Sequence, residues 1–348
     1  MKVHAMTGGA PLRDFQELAR RAAAAGFSGL VVTEAGRTAY LSCAAAALSG
    51  ADVDLATGVA VAFPRSPMVT ATTAWELAEA SGGRFRLGIG TQVRAHVERR
   101  YSAPFDPPGP RLREYVLALR ACFRAFRGEE PLAFQGEHYR LSLLPDQWSP
   151  GPIPVPDPPI DVAAVNPWML RMAGAVADGV HVHPLNTPTY LRETVLPNLA
   201  AGAEQASLDP STRAVFLPVM TVVGDTEEER ARWREASRTM IAFYGSTPNY
   251  AFVFEQLGRP GVTEALRTAQ KAGDLAGMVA VVDDELLAHF VVEGTWDELG
   301  GAIVERCAPL AGYQVHVVLY HARTATQEPG DTFERFGAVA REAIRLSG

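Results

Sequence analysis

A single (β/α)8 TIM barrel with insertions is the fold this chain predicts, and three observations predict it. Eight short apolar segments alternate with helical patterns along the 348 residues. Strands separated by helices pair in parallel, which needs a crossover at every step. No linker composition divides the chain, so one domain over residues 1–348 accounts for its length, with insertions at about 127–159 and 238–292.

The elements follow in order. Val3 to Met6 reads as a strand, and Pro11 opens a helix in which Leu12, Phe15, Leu18, Ala19 and Ala22 recur on one face before Gly26 closes it. Leu30 to Thr33 is the second strand, and the alanine-rich stretch from Thr38 to Leu48 a helix able to lie close to a sheet. The next unit is the clearest: strand Leu55 to Ala62, a turn with Pro64 and Pro67, helix Met68 to Ala80, Gly82-Gly83, then strand and glycine turn from Phe85 to Gln92. Arg111 to Phe126 is amphipathic, with Leu112, Tyr115, Leu119, Cys122 and Phe126 on one side.

Gly128 to Pro159 breaks the rhythm. Its second half is too rich in proline for regular helix, while Phe134 to Tyr139 predicts a hairpin turn, so the segment reads as an excursion over one end of the barrel. Strand Ile160 to Val165, helix Trp168 to Val176, strand Val180 to His183, helix Thr189 to Ala206 and strand Val215 to Val223 resume the alternation. Pro218 counts against full pairing in that last strand and predicts a bulge. Thr226 with Glu227, Glu228 and Glu229 starts a helix suited to its dipole. Helical patterns and the aromatic cluster Phe243, Tyr244, Tyr250, Phe252 and Phe254 follow, then helix Thr295 to Cys307, strand Val315 to Tyr320 and helix Thr332 to Leu346.

Composition excludes several classes. The chain is 47% hydrophobic and carries a formal charge of −7 without a basic run, which excludes a nucleic-acid backbone as partner. Cys43, Cys122 and Cys307 are far apart and odd in number, so they read as small apolar helix residues and not as disulfides or a zinc knuckle. The N-terminus has no secretory apolar core and no run reaches spanning length, so a soluble cytoplasmic protein with a small-molecule substrate and no membrane partner is expected.

In a barrel, chemistry collects where strands run into the following helices. That rule selects Glu34 to Arg37, Ala60 to Phe63, Gly90 to His96, Val165 to Trp168 and His183. Gly88-Ile89-Gly90 lacks the third glycine of a dinucleotide fingerprint and alone signifies tight strand-to-loop packing. His181 and His183 share a strand face and raise a metal-dependent hydrolase, but no further His/Asp set converges on strand ends, so no metal site is assigned.

The run SGGRFRLGIGTQ at 81–92, with the TGV-type strand and Arg65-Ser66-Pro67 before it, resembles the luciferase-like monooxygenase superfamily. Thr91 to Arg100 (TQVRAHVERR), Phe134 to Arg140, Ala177 to Pro184 and Ile241 to Pro248 resemble its F420-dependent oxidoreductase subgroup, in order along most of the chain. The resemblance implies coenzyme F420 as cofactor and hydride transfer to or from a small organic substrate, with reduced-FMN monooxygenation as the alternative and a non-redox barrel as a further one. It implies paired barrels, hence a homodimer.

By the same resemblance, a non-proline cis peptide backing the flavin ring falls at Ala60–Val61, and the turn Ala164, Val165, Asn166, Pro167 and Trp168 holds the cofactor phosphate at a helix start. Thr91 and Gln92 lead to His96, placed near the ring as a candidate proton donor or acceptor, although an isolated histidine is more often a surface or packed one. Arg37 stands where relatives carry a histidine at the ring's reactive face. It cannot shuttle protons at neutral pH, but could pair with an anionic substrate or hold the reduced ring's charge, with Glu34 as its structural partner or a member of the catalytic set. Tyr244, Phe243 and His183 are the expected substrate-pocket residues, against the bland alternative of core packing in an inserted lid.

Overall fold

The computed structural model describes residues 1–326 and 330–348. Its strands are β1 (Lys2–Thr7), β2 (Gly29–Val32), β3 (Asp54–Thr57), β4 (Ala60–Val61), β5 (Phe85–Gly90), β6 (Phe134–Gln135), β7 (Arg140–Leu141), β8 (Ile160–Ala163), β9 (Gly179–His181), β10 (Ala214–Val223), β11 (Val291–Gly294) and β12 (Gln314–Leu319). A closed parallel barrel of eight strands runs β1-β2-β3-β5-β8-β9-β10-β12 and back to β1. The predicted fold is therefore the observed one.

Crossover helices bury the faces their patterns announce. Helix Leu12–Ala25 buries Phe15, Leu18, Ala19, Ala22 and Ala25, and Gly26 ends it in the left-handed region at φ 99°. Helix Pro67–Ala80 is capped by Ser66, whose hydroxyl accepts from the Val69 N–H. Helix Glu227–Gly245 starts with a full capping box between Thr226 and Glu229. Cys43, Cys122 and Cys307 are buried, each within a helix.

Three expectations change. The strand read from Leu55 to Ala62 is two strands, because pairing lapses at Gly58 and Val59 between β3 and β4. Pro218 makes no bulge: β10 stays in register with β12 through it, Pro218 opposite Val318. Residues of β10 alternate their hydrogen-bonding edge, and the edge that serves β9 up to Phe216 serves β11 from Met220 onward. The nitrogen that lacks a hydrogen thus falls at the handover. Finally, the proline-rich excursion does not cover the mouth. Arg127 donates to the carbonyls of Ile153 and Val155, Trp75 to Gly151, and Val155 lies against Gly83 below β5, so the segment lies against the outer helices and the amino-terminal end. The hairpin β6–β7 is fastened by Glu114, whose carboxylate accepts three successive backbone N–H groups at 2.5–2.9 Å.

The barrel interior is plugged by polar side chains at one level. Arg86 and Asp161 form a bidentate pair at 2.9 and 2.6 Å, with Asp161 fully buried and the guanidinium over the Phe216 ring. Phe216 stacks on His181 and His316 at 4.3 Å each, and His4 bonds His316 at 2.9 Å between ring nitrogens. Burial holds these imidazoles neutral, His4 and His181 down to about 3 and His316 to about 2, while His321 behind β12 falls to about 4.

Each of these histidines binds a proton more readily in the unfolded chain, so its contribution to stability is full above about pH 6.5 and is lost on acidification toward its folded value. Urea denaturation from pH 7 to pH 4 is expected to show stability falling by on the order of 1.4 kcal/mol per pH unit for each histidine that titrates. His316→Phe should reduce that slope by one proton; an unchanged slope would show that His316 does not contribute.

Candidate active site at the barrel mouth

Alternation along β5 places Arg86, Gly88 and Gly90 on one face, toward the barrel axis. Arg86 fills the floor, and at both glycines the neighbours come too close for a side chain. A Cβ on Gly88 would lie 2.6 Å from His181 Nε2, and one on Gly90 3.0 Å from Val59 and 3.2 Å from Ala163. Beside them the chain crosses from β3 to β4 through a non-proline cis peptide at Gly58–Val59. The bond expected at Ala60–Val61 therefore lies two residues earlier, where strand pairing stops; Ala60 and Val61 are buried and paired with Ile89 and Gly90 of β5. Gly58 and Val59 are half-buried and form the ledge.

Glu34 fixes this ledge. Its carboxylate accepts from the Val61 N–H at 2.7 Å and from both terminal nitrogens of Arg65 at 3.0 and 2.6 Å. Its side chain is 5% exposed. The partner is thus Arg65, which follows β4, and not Arg37, because the guanidinium of Arg65 also reaches the Val61 carbonyl. Arg37 is exposed and makes no ion pair or hydrogen bond among the described residues.

After β5, Thr91 donates to the Gln92 carbonyl, and Gln92 takes φ 59° with its side-chain oxygen accepting from the Val93 N–H. His96 lies on the short helix Arg94–Arg99, exposed, and its ring has no partner among the described residues. After β8, Ala164 is buried, and the Val165 carbonyl accepts from the Tyr190 hydroxyl at 2.6 Å. Asn166 caps helix Pro167–Val176 by accepting from the Met169 N–H, and Trp168 packs over Gly109.

The wall opposite is aromatic. His183, just past β9, lies 4.2 Å from the Tyr250 ring and 4.8 Å edge-on from Tyr244, and the Tyr244 and Tyr320 hydroxyls meet at 2.7 Å. Burial pulls His183 down to about 3 and pushes Tyr250 up to about 12, with Tyr244 and Tyr320 also raised, so the wall is polar and uncharged at neutral pH. Phe243 departs from expectation: it is 57% exposed and lines an outer groove with Leu275 and Met278, because adjacent residues of a helix point about 100° apart. Tyr320 obeys the strand-end rule but lies outside the segments that rule selected; Tyr250 belongs to the aromatic cluster, and Gly58, Val59 and Arg65 lie in the TGV-type strand and Arg65-Ser66-Pro67 without a role of their own there. No group of three or more His, Cys, Asp or Glu able to hold a metal occurs among the described residues.

A parallel barrel plugged at its floor and ringed with polar groups at the carboxyl ends of its strands has the plan of a barrel enzyme. The chain belongs to the luciferase-like monooxygenase family, whose model matches residues 1–313. An uncharacterized Mycobacterium tuberculosis protein is 39% identical over 84% of this chain and 87% of its own length. A 5,10-methylenetetrahydromethanopterin reductase of Archaeoglobus fulgidus is 29% identical, covering 79% of this chain and 78% of that protein. Among solved structures, the coenzyme F420-dependent tetrahydromethanopterin reductase of Methanopyrus kandleri superposes with a TM-score of 0.77 at 20% identity, covering 100% of this chain and 99% of the other. The FMN complex of the oxygenating part of 3,6-diketocamphane monooxygenase from Pseudomonas putida gives 0.68 at 18%, covering 99% and 98%. The family is one of oxidoreductases, and both cofactor types occur among these neighbours.

Glu34→Ala leaves the Val61 N–H and the Arg65 guanidinium without their shared acceptor and is expected to cost about 3 kcal/mol in urea denaturation, with Glu34→Gln costing less because it still accepts from Val61. Equal losses from the two variants would show that the backbone bond to Val61 does not matter.

Proposed function

We propose that this protein transfers hydride between coenzyme F420 and a small organic substrate at the barrel mouth. One observation carries the proposal: the half-buried Gly58–Val59 ledge stands beside Gly88 and Gly90, positions that neighbours approach too closely for any Cβ, so a flat group would meet backbone there. The sequence segments shared with F420-dependent oxidoreductases and the reductase among the relatives support F420 over FMN.

The residues present fit such a group. Gly58, Val59 and Gly90 would lie against the ring, with Glu34 and Arg65 holding the ledge from behind. The turn at Val165 and Asn166, braced by Tyr190, would hold the anionic tail at the start of helix Pro167–Val176. Arg37, exposed and unpaired among the described residues, is available to an anionic group of cofactor or substrate. When bound, F420 supplies a two-electron hydride carrier. The aromatic wall of His183, Tyr244 and Tyr250 excludes water beside it and brings no charge of its own.

Titration with F420 and separately with FMN, followed by thermal melting, tests this. F420 should raise the melting temperature, with a stabilisation of about 2.7 kcal/mol at a hundredfold excess over Kd. The reduced complex should not consume oxygen rapidly. Gly90→Val, which places a methyl group against Val59 and Ala163, should weaken F420 binding at least about tenfold with the far-UV spectrum unchanged. Rapid oxygen consumption with reduced FMN would favour monooxygenation instead, and a melting temperature indifferent to both cofactors would overturn the proposal.

A further inference from the structure

We infer that His183 selects the substrate, and that the substrate it takes presents an oxygen acceptor, a carbonyl or hydroxyl oxygen, at the carbon that exchanges hydride. This rests on the hydride-transfer function proposed above and adds to it a substrate class and the residue that recognises it.

The protonation state follows from geometry. The Leu185 N–H donates to His183 Nδ1 at 3.1 Å, so in the neutral ring the proton is on Nε2. That Nε2–H has no partner among the described residues, and His183 is only half-buried, in contrast to His4, His181 and His316 below it. No charged group acts on the ring; burial alone keeps it neutral. The result is a fixed, uncharged donor facing the mouth.

Its aim is set by a buried support. Asn186, 1% exposed, donates from Nδ2 to the carbonyls of His183 at 3.0 Å and Pro218 at 2.9 Å, and Arg306 donates to both oxygens of Asn186 at 3.0 and 2.8 Å. The ring is held on its face by Tyr250 and on its edge by Tyr244. A second donor stands near it. The Tyr244 and Tyr320 hydroxyls share one hydrogen bond, which uses one of their two hydrogens and leaves the other available.

Two neutral donors in an apolar aromatic surround reward an oxygen lone pair. They give nothing to a hydrocarbon that merely fills the space, since desolvating an unpaired donor is costly. A carbonyl oxygen held at Nε2–H is polarised in the sense that favours hydride arrival at its carbon from the reduced cofactor; the C=O electron pair moves onto that oxygen, which takes its proton from the free hydroxyl of the Tyr244–Tyr320 pair, replaced from solvent, and an alcohol returns hydride and proton by the same route.

Full-length protein, with and without F420, should be titrated with cyclohexanone and with methylenecyclohexane, which differ in an oxygen acceptor against a CH2 group, and dissociation constants read by NMR saturation transfer. The wild type should prefer the ketone by about tenfold. His183→Phe, which keeps the ring stack and removes the donor, should reduce the preference to less than about twofold, and His183→Gln, which returns an N–H, should recover part of it, at melting temperatures showing that both variants fold. A wild type without preference for the ketone, or a His183→Phe variant that keeps it, overturns the inference. Because the preference is also read without cofactor, failure of F420 to bind leaves it standing, and F420 binding without ketone preference removes it alone.

Discussion

The bidentate contact between Arg86 and Asp161 closes the barrel from below, and the mouth depends on it. A guanidinium and a carboxylate with no exposure on the acid side are tolerable only when they satisfy each other, and they do so across adjacent strands beneath Phe216. The stacked rings of His181, His316 and His4 complete the floor without adding charge. With the volume below filled by side chains, the same strand face is glycine at Gly88 and Gly90, where Thr57, His181, Val59 and Ala163 approach too closely for a Cβ. One strand thus carries both the stopper and the two close-packed glycines, at alternating positions fixed by the pleat.

Much of this was legible from the order of residues. Period-two apolar runs and period-3.6 stripes located all eight barrel strands and most of their helices, because each buried element repeats its own geometry. Contacts between elements were less legible. Nothing in the run from Leu55 to Ala62 marks where pairing lapses, since Gly58 and Val59 are as compatible with a strand as their neighbours. Glu34 was visible as a strand-end residue, but its partner is Arg65, beyond the next strand, and a bond spanning 31 positions has no local signature. Strand β11 was overlooked because four residues between helices show too little alternation. Tyr244 and Phe243 are neighbours in one cluster, yet helical rotation brings the first to His183 and sends the second to the outer groove.

At the mouth, charge and neutrality are separated. The catalytic candidates on the β2 and β5 loops, Arg37 and His96, are solvent-facing, whereas the groups around His183 are desolvated and uncharged. An ionic group and a compact uncharged one make different demands on a site, and the two sides of the opening differ in the matching way. The exposed guanidinium of Arg37 after β2 brings positive charge to one side, while the Tyr244–Tyr320 pair and His183 on the other are desolvated and neutral.

The single missing hydrogen at Pro218 has an architectural consequence. Because the seventh barrel strand cannot bond its neighbour there, the bonding of β9 ends with the Val182 N–H on the Phe216 carbonyl, and the same edge of β10 accepts β11, a strand arriving from the far side of the helical insert. The carbonyl of Pro218 then anchors Asn186, so the residue that cuts the seam also pins the flap it creates. A cylinder of staves acquires a notch in its rim without losing closure, and a helical insert between two staves gains access to the bowl through it.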